Sequence, residues 1–164
     1  FITMDYEFTD DDVKFLQMSA KLSEDNIDTG GGPFGAVIVR DGEVIATGAN
    51  RVTASNDPTA HAEVVAIRNA CKKLATFNLR GTTIYSSCEP CPMCLSALYW
   101  AGVDKIICGN TQEDADAIGF SDEFLYKELM KPSTQRALPC IHMPNDFTIR
   151  AFRKWVDKAD KTAY

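Results

Sequence analysis

The chain has 164 residues and a mass of 18.1 kDa, with 45% hydrophobic and 24% charged residues; this is one ordinary globular domain's worth of core, which excludes a disordered chain. A net charge of −6 disfavours a nucleic-acid surface, whose affinity comes largely from cations neutralising phosphates. No apolar run is long enough to cross a bilayer and no signal peptide opens the chain, so a cytoplasmic protein without membrane contact is expected.

Phe1–Thr3, ahead of Met4, read as an extraneous extension. Residues 10–26 read as a first helix, with Thr9 as N-cap and Val13, Leu16, Ala20 and Ile27 recurring at helical spacing. Gly30-Gly31-Gly32-Pro33 breaks the chain. Residues 34–39 and 44–48 read as strands joined by Asp41-Gly42, a strong hairpin signal. A polar loop ends at Asp57-Pro58, and residues 61–74 have helical character. Gly81 precedes a short strand at 82–87, a helix follows at 91–101 and ends at Gly102, and 105–108 form another strand.

That strand–helix–strand order implies a right-handed crossover joining parallel neighbours. Beyond it come a helical 120–130, a strand near 138–142, and a last helix with Ile149, Phe152 and Val156 on one face. A hairpin followed by a crossover gives a mixed sheet of about five strands between helices, a three-layer α/β/α domain covering residues 1–164.

Six cysteines without a signal peptide point to metal binding or catalysis rather than disulfides. Cys71, Cys108 and Cys140 stand alone in apolar segments and are expected to be small buried hydrophobes. Cys91 and Cys94 are three apart, so at a helix start both side chains fall on one side. Pro92 suits the first helical turn, where its missing N–H costs little. The partial positive charge of a helix N-terminus favours thiolate over thiol.

His61 adds an imidazole, and one histidine with two thiolates leaves a tetrahedral zinc one position short, as catalytic sites do. Glu63 is the acid beside a ligand and is placed to carry protons rather than to bind metal. Residues two apart diverge on a regular helix, so His61 has to sit where the chain is still entering it. Cys88 leaves a rival open: with His61, Cys91 and Cys94 it would close a four-ligand structural zinc site with no chemistry.

His61-Ala62-Glu63 followed by Pro90-Cys91-Pro92-Met93-Cys94 is the signature of zinc nucleobase deaminases. The chain resembles the cytidine deaminase-like superfamily and, within it, bacterial guanine deaminases. The likeness extends through 31–39, 55–63 and 87–94, to Tyr99-Trp100-Ala101, Gly119-Phe120 and Tyr164. It implies one zinc per chain and hydrolytic deamination, in which a zinc-activated water attacks the amidine carbon while Glu63 shuttles protons.

The resemblance also implies a small purine substrate and a homodimer. It assigns Phe34 to stacking on the base and Asn50 to hydrogen-bonding its ring. Ala62 joins the substrate pocket, Trp100 either walls that pocket or fills the core, and the resemblance points to Asp122, ahead of Asp114, as the carboxylate that favours guanine. Residues 146–164, a helix and tail ending at Tyr164, are implied to close over an active site. Another free base or nucleoside, or adenosine in tRNA, remains an alternative substrate.

Overall fold

The computed structural model describes residues 5–164, so the extension assigned to Phe1–Thr3 lies outside them. At its centre is β1 (Gly35–Arg40), whose apolar run Ala36-Val37-Ile38-Val39 is buried on both faces. A continuous run of this kind suits a strand covered from both sides. β2 (Glu43–Ala49) returns antiparallel to it. Asp41 and Gly42 hold φ of +51° and +75°, the type I′ turn that the dipeptide predicts. One register slip lies between Ile38 and Val39, where the partner jumps from Ala46 to Val44 and leaves Ile45 as the extra residue of a bulge.

β3 (Thr83–Cys88) pairs antiparallel with the other edge of β1, and β4 (Lys105–Asn110) runs parallel to β3. The sheet order is β2-β1-β3-β4. The expected mixed sheet is present, with four strands rather than about five. The strand anticipated near 138–142 does not form: Leu138 and Ile141 are exposed, and Pro139 removes a ladder donor from the middle of the segment.

Helix α1 (Asp10–Asp28) covers one face of the sheet. Phe15 packs there with Val37, Val39, Tyr85 and Ile107. On the opposite face α3 (Ala62–Leu74) and α4 (Pro92–Ala101) supply Ala62, Ala66, Ala70, Leu98 and Ala101 against Ala36, Ile38 and Ile84. Alternate residues of β1 thus feed two cores, as the period of a strand requires.

Gly48 sets how closely α3 approaches β2. A Cβ there would stand 2.2 Å from the Ala62 carbonyl oxygen and 2.5 Å from the Ala66 nitrogen. Any side chain at Gly48 would therefore push the start of α3, and His61 with it, off the sheet.

The face of α1 turned inward is not the apolar stripe read from the sequence. Val13 and Ile27 are exposed, and the buried positions are Asp12, Phe15, Ser19 and Asn26. Three of these are polar, and each has a partner: Asp12 accepts from Tyr85 Oη at 2.7 Å, and Ser19 Oγ donates to the Leu16 carbonyl at 2.8 Å. Asn26 is treated below. Thr9 caps α1 as expected, in a capping box with Asp12.

Two short helices escaped the pattern. α2 (Val52–Ser55) ends at Asn56 in the left-handed conformation, and α5 (Gln112–Ala117) starts on a capping box of Thr111 and Asp114. Helices this short carry too few residues for a 3.6-residue period to register.

Chain contacts divide the molecule after Glu123 into two compact units. The first holds the sheet, α1 to α5 and the opening of α6 (Asp122–Met130). The second holds the rest of α6, a 3-10 turn (Ser133–Gln135) and α7 (Ile149–Asp157). Within the second unit, Glu128 is the organising side chain: it pairs with Lys131 and accepts the Ala137 N–H. Asn145 Oδ1 accepts from the Phe147 and Thr148 N–H groups just ahead of α7. Phe152, Trp155 and Val156 of that helix are all exposed. No helix among the described residues is long and apolar enough to cross a membrane.

Candidate active site

His61 and Cys91 occupy equivalent places. Each is the N-cap of its helix, α3 and α4 respectively, with extended backbone (φ/ψ −68°/155° and −65°/167°) and a side chain not spent on capping. The extended backbone settles the two-residue spacing: His61 lies just outside the helix while Glu63 is the second residue within it. Pro92 opens α4 as expected, and Cys94 follows at its third position.

His61 Nδ1 lies 3.5 Å from Cys91 Sγ and 3.5 Å from Cys94 Sγ. Ligand atoms around a tetrahedral zinc, with Zn–S and Zn–N bonds of about 2.3 and 2.0 Å, stand about 3.6 Å apart. Both histidine–cysteine separations are therefore those such an ion requires, and all three ligand atoms lie within 4.8 Å of one another. Their donor set, one imidazole and two thiols with no oxygen, suits zinc rather than magnesium or calcium.

The hydrogen bonds from Cys94 and His61 lower the pKa of Cys91, which favours its thiolate. Cys94 is pushed up by its hydrogen bond to Cys91 and by burial. The His61 imidazole is pushed up chiefly by its hydrogen bond to Cys91.

Cys88 does not join them. It ends β3, and its Sγ donates to the Thr111 carbonyl at 3.7 Å. Burial first, then the charge of Glu63, pushes its thiol up to about 11. The metal cluster among the described residues is His61, Cys91 and Cys94, three ligands and not four.

Glu63 is buried beside this cluster, and its Oε1 accepts from Ser86 Oγ at 3.0 Å. Burial raises its pKa, against the opposing hydrogen bonds from its own backbone, Ser86 and Cys94. A carboxyl shifted towards neutrality in a closed site is suited to taking and returning protons.

A cavity of about 230 Å³ opens onto these groups, lined among others by His61, Glu63, Cys88 and Cys91. It is below the range of drug-sized ligand sites and fits a small molecule. Most of its remaining walls come from three stretches of chain, with Pro58 and Glu89 added from two others. Gly32 and Phe34 follow α1; Asn50, Val52 and Thr53 follow β2; Phe120 and Asp122 follow α5. Phe34 and Phe120 meet edge to face with ring centroids 4.9 Å apart. Asn50 is buried, and its Oδ1 accepts the Val52 N–H at 3.2 Å. Burial and the neighbouring Cys91 raise the pKa of Asp122.

Residues 9–110 match the family model of the cytidine and deoxycytidylate deaminase zinc-binding region. The chain belongs to this family. It is 47% identical over 151 residues to the guanine deaminase of Bacillus subtilis, covering 92% of this chain and 97% of that protein. The crystal structure of that enzyme superimposes with a TM-score of 0.90 at 46% identity, covering 93% of this chain and 98% of the other. A guanine deaminase structure from Nitrosomonas europaea matches with a TM-score of 0.65 at 33% identity, covering 71% and 66%. A tRNA-specific adenosine deaminase of Aquifex aeolicus is 41% identical over 93 residues, covering 57% of this chain and 62% of that protein.

The family's zinc site thus falls on His61, Cys91 and Cys94, the three ligands that the sequence pattern predicts. When bound there, the ion supplies a Lewis acid that activates water at neutral pH. Of the residues expected to meet substrate, Phe34, Asn50 and Asp122 line the cavity. Ala62 is fully buried at the first turn of α3, behind the lining rather than in it. Trp100 neither lines the cavity nor fills the core; its side chain is 73% exposed near the end of α4. Tyr164 is exposed in the second unit. Asp114 is consumed by its cap, accepting the Thr111 N–H at 2.9 Å.

The lone cysteines also differ from expectation: Cys71 is half-buried, and Cys108 and Cys140 are exposed. Cys108 sits on β4, an edge of the sheet, and Cys140 on the irregular segment that replaced the expected strand.

Sequence reasoning missed Glu89, which lines the cavity with its two oxygens on the Gln112 backbone N–H (3.1 Å) and Nε2 (3.0 Å). Its position between Cys88 and Cys91 was the available signal, because a loop holding metal ligands has to be anchored at its own ends.

Proposed function

We propose that this protein is a zinc-dependent guanine deaminase that hydrolyses guanine to xanthine and ammonia. The observation that carries the proposal is the end-to-end likeness to the B. subtilis guanine deaminase, including the loops that wall the cavity and not the zinc region alone. Guanine presents an N1–H donor and an O6 acceptor along one edge. Asp122 supplies an acceptor to that edge, and Asn50, whose Oδ1 is engaged by Val52, presents its Nδ2 as a donor. Phe34, braced by Phe120, offers an aromatic face for the base. Glu63 takes a proton from the attacking water and delivers protons to the ring nitrogen and the departing amine. A small cavity and a net charge of −6 favour a free base over tRNA.

The working form in this reading is a cytoplasmic homodimer. Exposed Tyr99 and Trp100 on α4, and Phe152 and Val156 on α7, are the apolar surfaces that support association. All six cysteines are free, two of them at the surface, as suits a reducing compartment. Residues 146–164 serve as the segment that closes an active site.

The test is ammonia release by the zinc-loaded protein from guanine, adenine, cytosine and guanosine, with Glu63→Ala as the blank. Release from guanine, abolished in the variant, is the expected result. Release from another substrate in place of guanine would overturn the choice of base and keep the chemistry. Silence on every substrate with zinc bound would overturn both.

A further inference from the structure

We infer that Asn26, in the last turn of α1, is a positioning residue that holds the base-binding loops of the cavity in register. The inference rests on the reading of that cavity as a purine site and names the residue that shapes it. Asn26 is 5% exposed and is not among the residues that line this cavity. Its Nδ2 donates to two backbone carbonyls, Gly32 and Asn50, both at 2.8 Å. These belong to two of the loops that wall the cavity. Arg51 Nη1 at 3.3 Å and Thr29 Oγ1 at 3.4 Å approach Oδ1, which fixes the amide's orientation. Both ends of the amide are thus engaged.

The backbone of Asn26 does the same work. Its carbonyl accepts from Thr29 N–H at 3.2 Å and Gly31 N–H at 3.0 Å, turning the chain out of α1 towards Gly32. The two loops are then bonded to each other: Asn50 N–H donates to the Phe34 carbonyl at 3.1 Å, and Phe34 N–H to the Gly32 carbonyl at 2.9 Å. One side chain on α1 therefore braces Phe34 and Asn50 from behind.

Gly31 marks how tightly this is built. A Cβ there would lie 2.1 Å from Asn26 Nδ2 and 2.4 Å from the Asn50 carbonyl oxygen. Such a residue is compatible with the fold only if the amide or the carbonyl moves. A polar residue buried at the one place where both loops leave the scaffold has no packing reason to be polar. A hydrophobic residue of similar size would fill the space and leave two carbonyls unpaired.

Asn26→Asp keeps the shape but sets an acceptor against both carbonyls. The metal ligands and Glu63 stand on α3 and α4, so the damage falls on the walls. The expected result is a rise in KM for guanine of about tenfold, with kcat within about twofold and one zinc retained per chain. In an Asn50→Ala background the same substitution raises KM less, because the part of the effect that acts through the Asn50 side chain is already lost and only the part through Phe34 remains.

Hydrogen exchange supplies a readout free of substrate. Amides at 30–35 and 50–53 exchange faster, while those at 61–66 and 91–95 are unchanged. Gly31→Ala produces the same pattern and carries the measurement if Asn26→Asp does not fold. Unchanged or uniformly accelerated exchange, or a KM effect undiminished in the Asn50→Ala background, would overturn the inference. A wild type inactive on guanine would sink the substrate reading alone, since the exchange pattern still decides the role of Asn26.

Discussion

The floor of the cavity and its walls are built in opposite ways. The floor is His61, Glu63 and Cys91, with Cys94 completing the metal cluster, and every one of these sits at the cap or first turn of α3 or α4, both pressed on the same face of the sheet. The walls are Gly32, Phe34, Asn50, Val52, Phe120 and Asp122, drawn from three separate connections. Helix starts give fixed directions and partial positive charge, which a metal site and its thiolates need. Loops held by a few hydrogen bonds give shape that differs from one relative to another, which selection among bases needs. The zinc region, residues 9–110, matches a family that includes deaminases acting on different substrates, while the match over more than nine-tenths of the chain is to the B. subtilis guanine deaminase. If chemistry and substrate choice divide between floor and walls in this way, substitutions should fall into two classes.

The largest effect is expected from the floor. Cys91→Ala removes one of three ligands, so bound zinc and turnover are lost together, by metal analysis and by ammonia release respectively. Retained zinc with retained turnover would mean that Cys88 can substitute and that the site is not the three-ligand cluster. Next comes Glu63→Gln, which leaves the ligands untouched and removes the proton carrier. kcat should fall by about 10²–10⁴-fold with one zinc still bound. A loss of zinc in this variant would place Glu63 in the metal site rather than beside it.

Asn50→Ala tests the walls directly. Losing a buried hydrogen-bonding side chain at the base costs about 1.5–3 kcal/mol, or roughly ten- to a hundredfold in kcat/KM for guanine. Zinc content should not change. An equal loss for every base in the panel would show that Asn50 supports the fold and reads nothing.

The same division explains what the amino-acid sequence reveals. The floor is legible because its residues lie two, three and thirty apart and need only two helix starts to converge. The hairpin and crossover are legible because Asp41-Gly42 and the strand–helix–strand order are local signals. The walls are only partly so. Phe34, Asn50 and Asp122 came from resemblance, and no spacing links residues drawn from three connections. Asn26 was hidden because a buried polar residue breaks the apolar period by which a helix face is recognised: the exposed Val13 and Ile27 mimicked that face, while Asp12, Ser19 and Asn26 occupied the real one. Trp100 shows the converse, since an aromatic side chain among apolar residues suggests a wall or a core and in the single chain it lies on the surface.

The mildest expected effect probes the joint between floor and walls. Glu89 leaves the end of β3 two residues before Cys91, and Gln112 opens α5, the helix that leads to Phe120 and Asp122. Their contact is stitched four ways: Glu89 N–H to the Asn110 carbonyl at 2.8 Å, Cys88 Sγ to the Thr111 carbonyl, and both Glu89 oxygens to Gln112. Gln112→Ala removes the Nε2 bond alone and keeps the backbone N–H, so the loss is at most about 1 kcal/mol, or about fivefold. Because Cys91 is set by the start of α4, that loss should appear as a KM increase with zinc affinity unchanged in a competition titration against a chelator. If zinc affinity falls in step with KM, the loop transmits strain in both directions, and floor and walls are one mechanical unit rather than two.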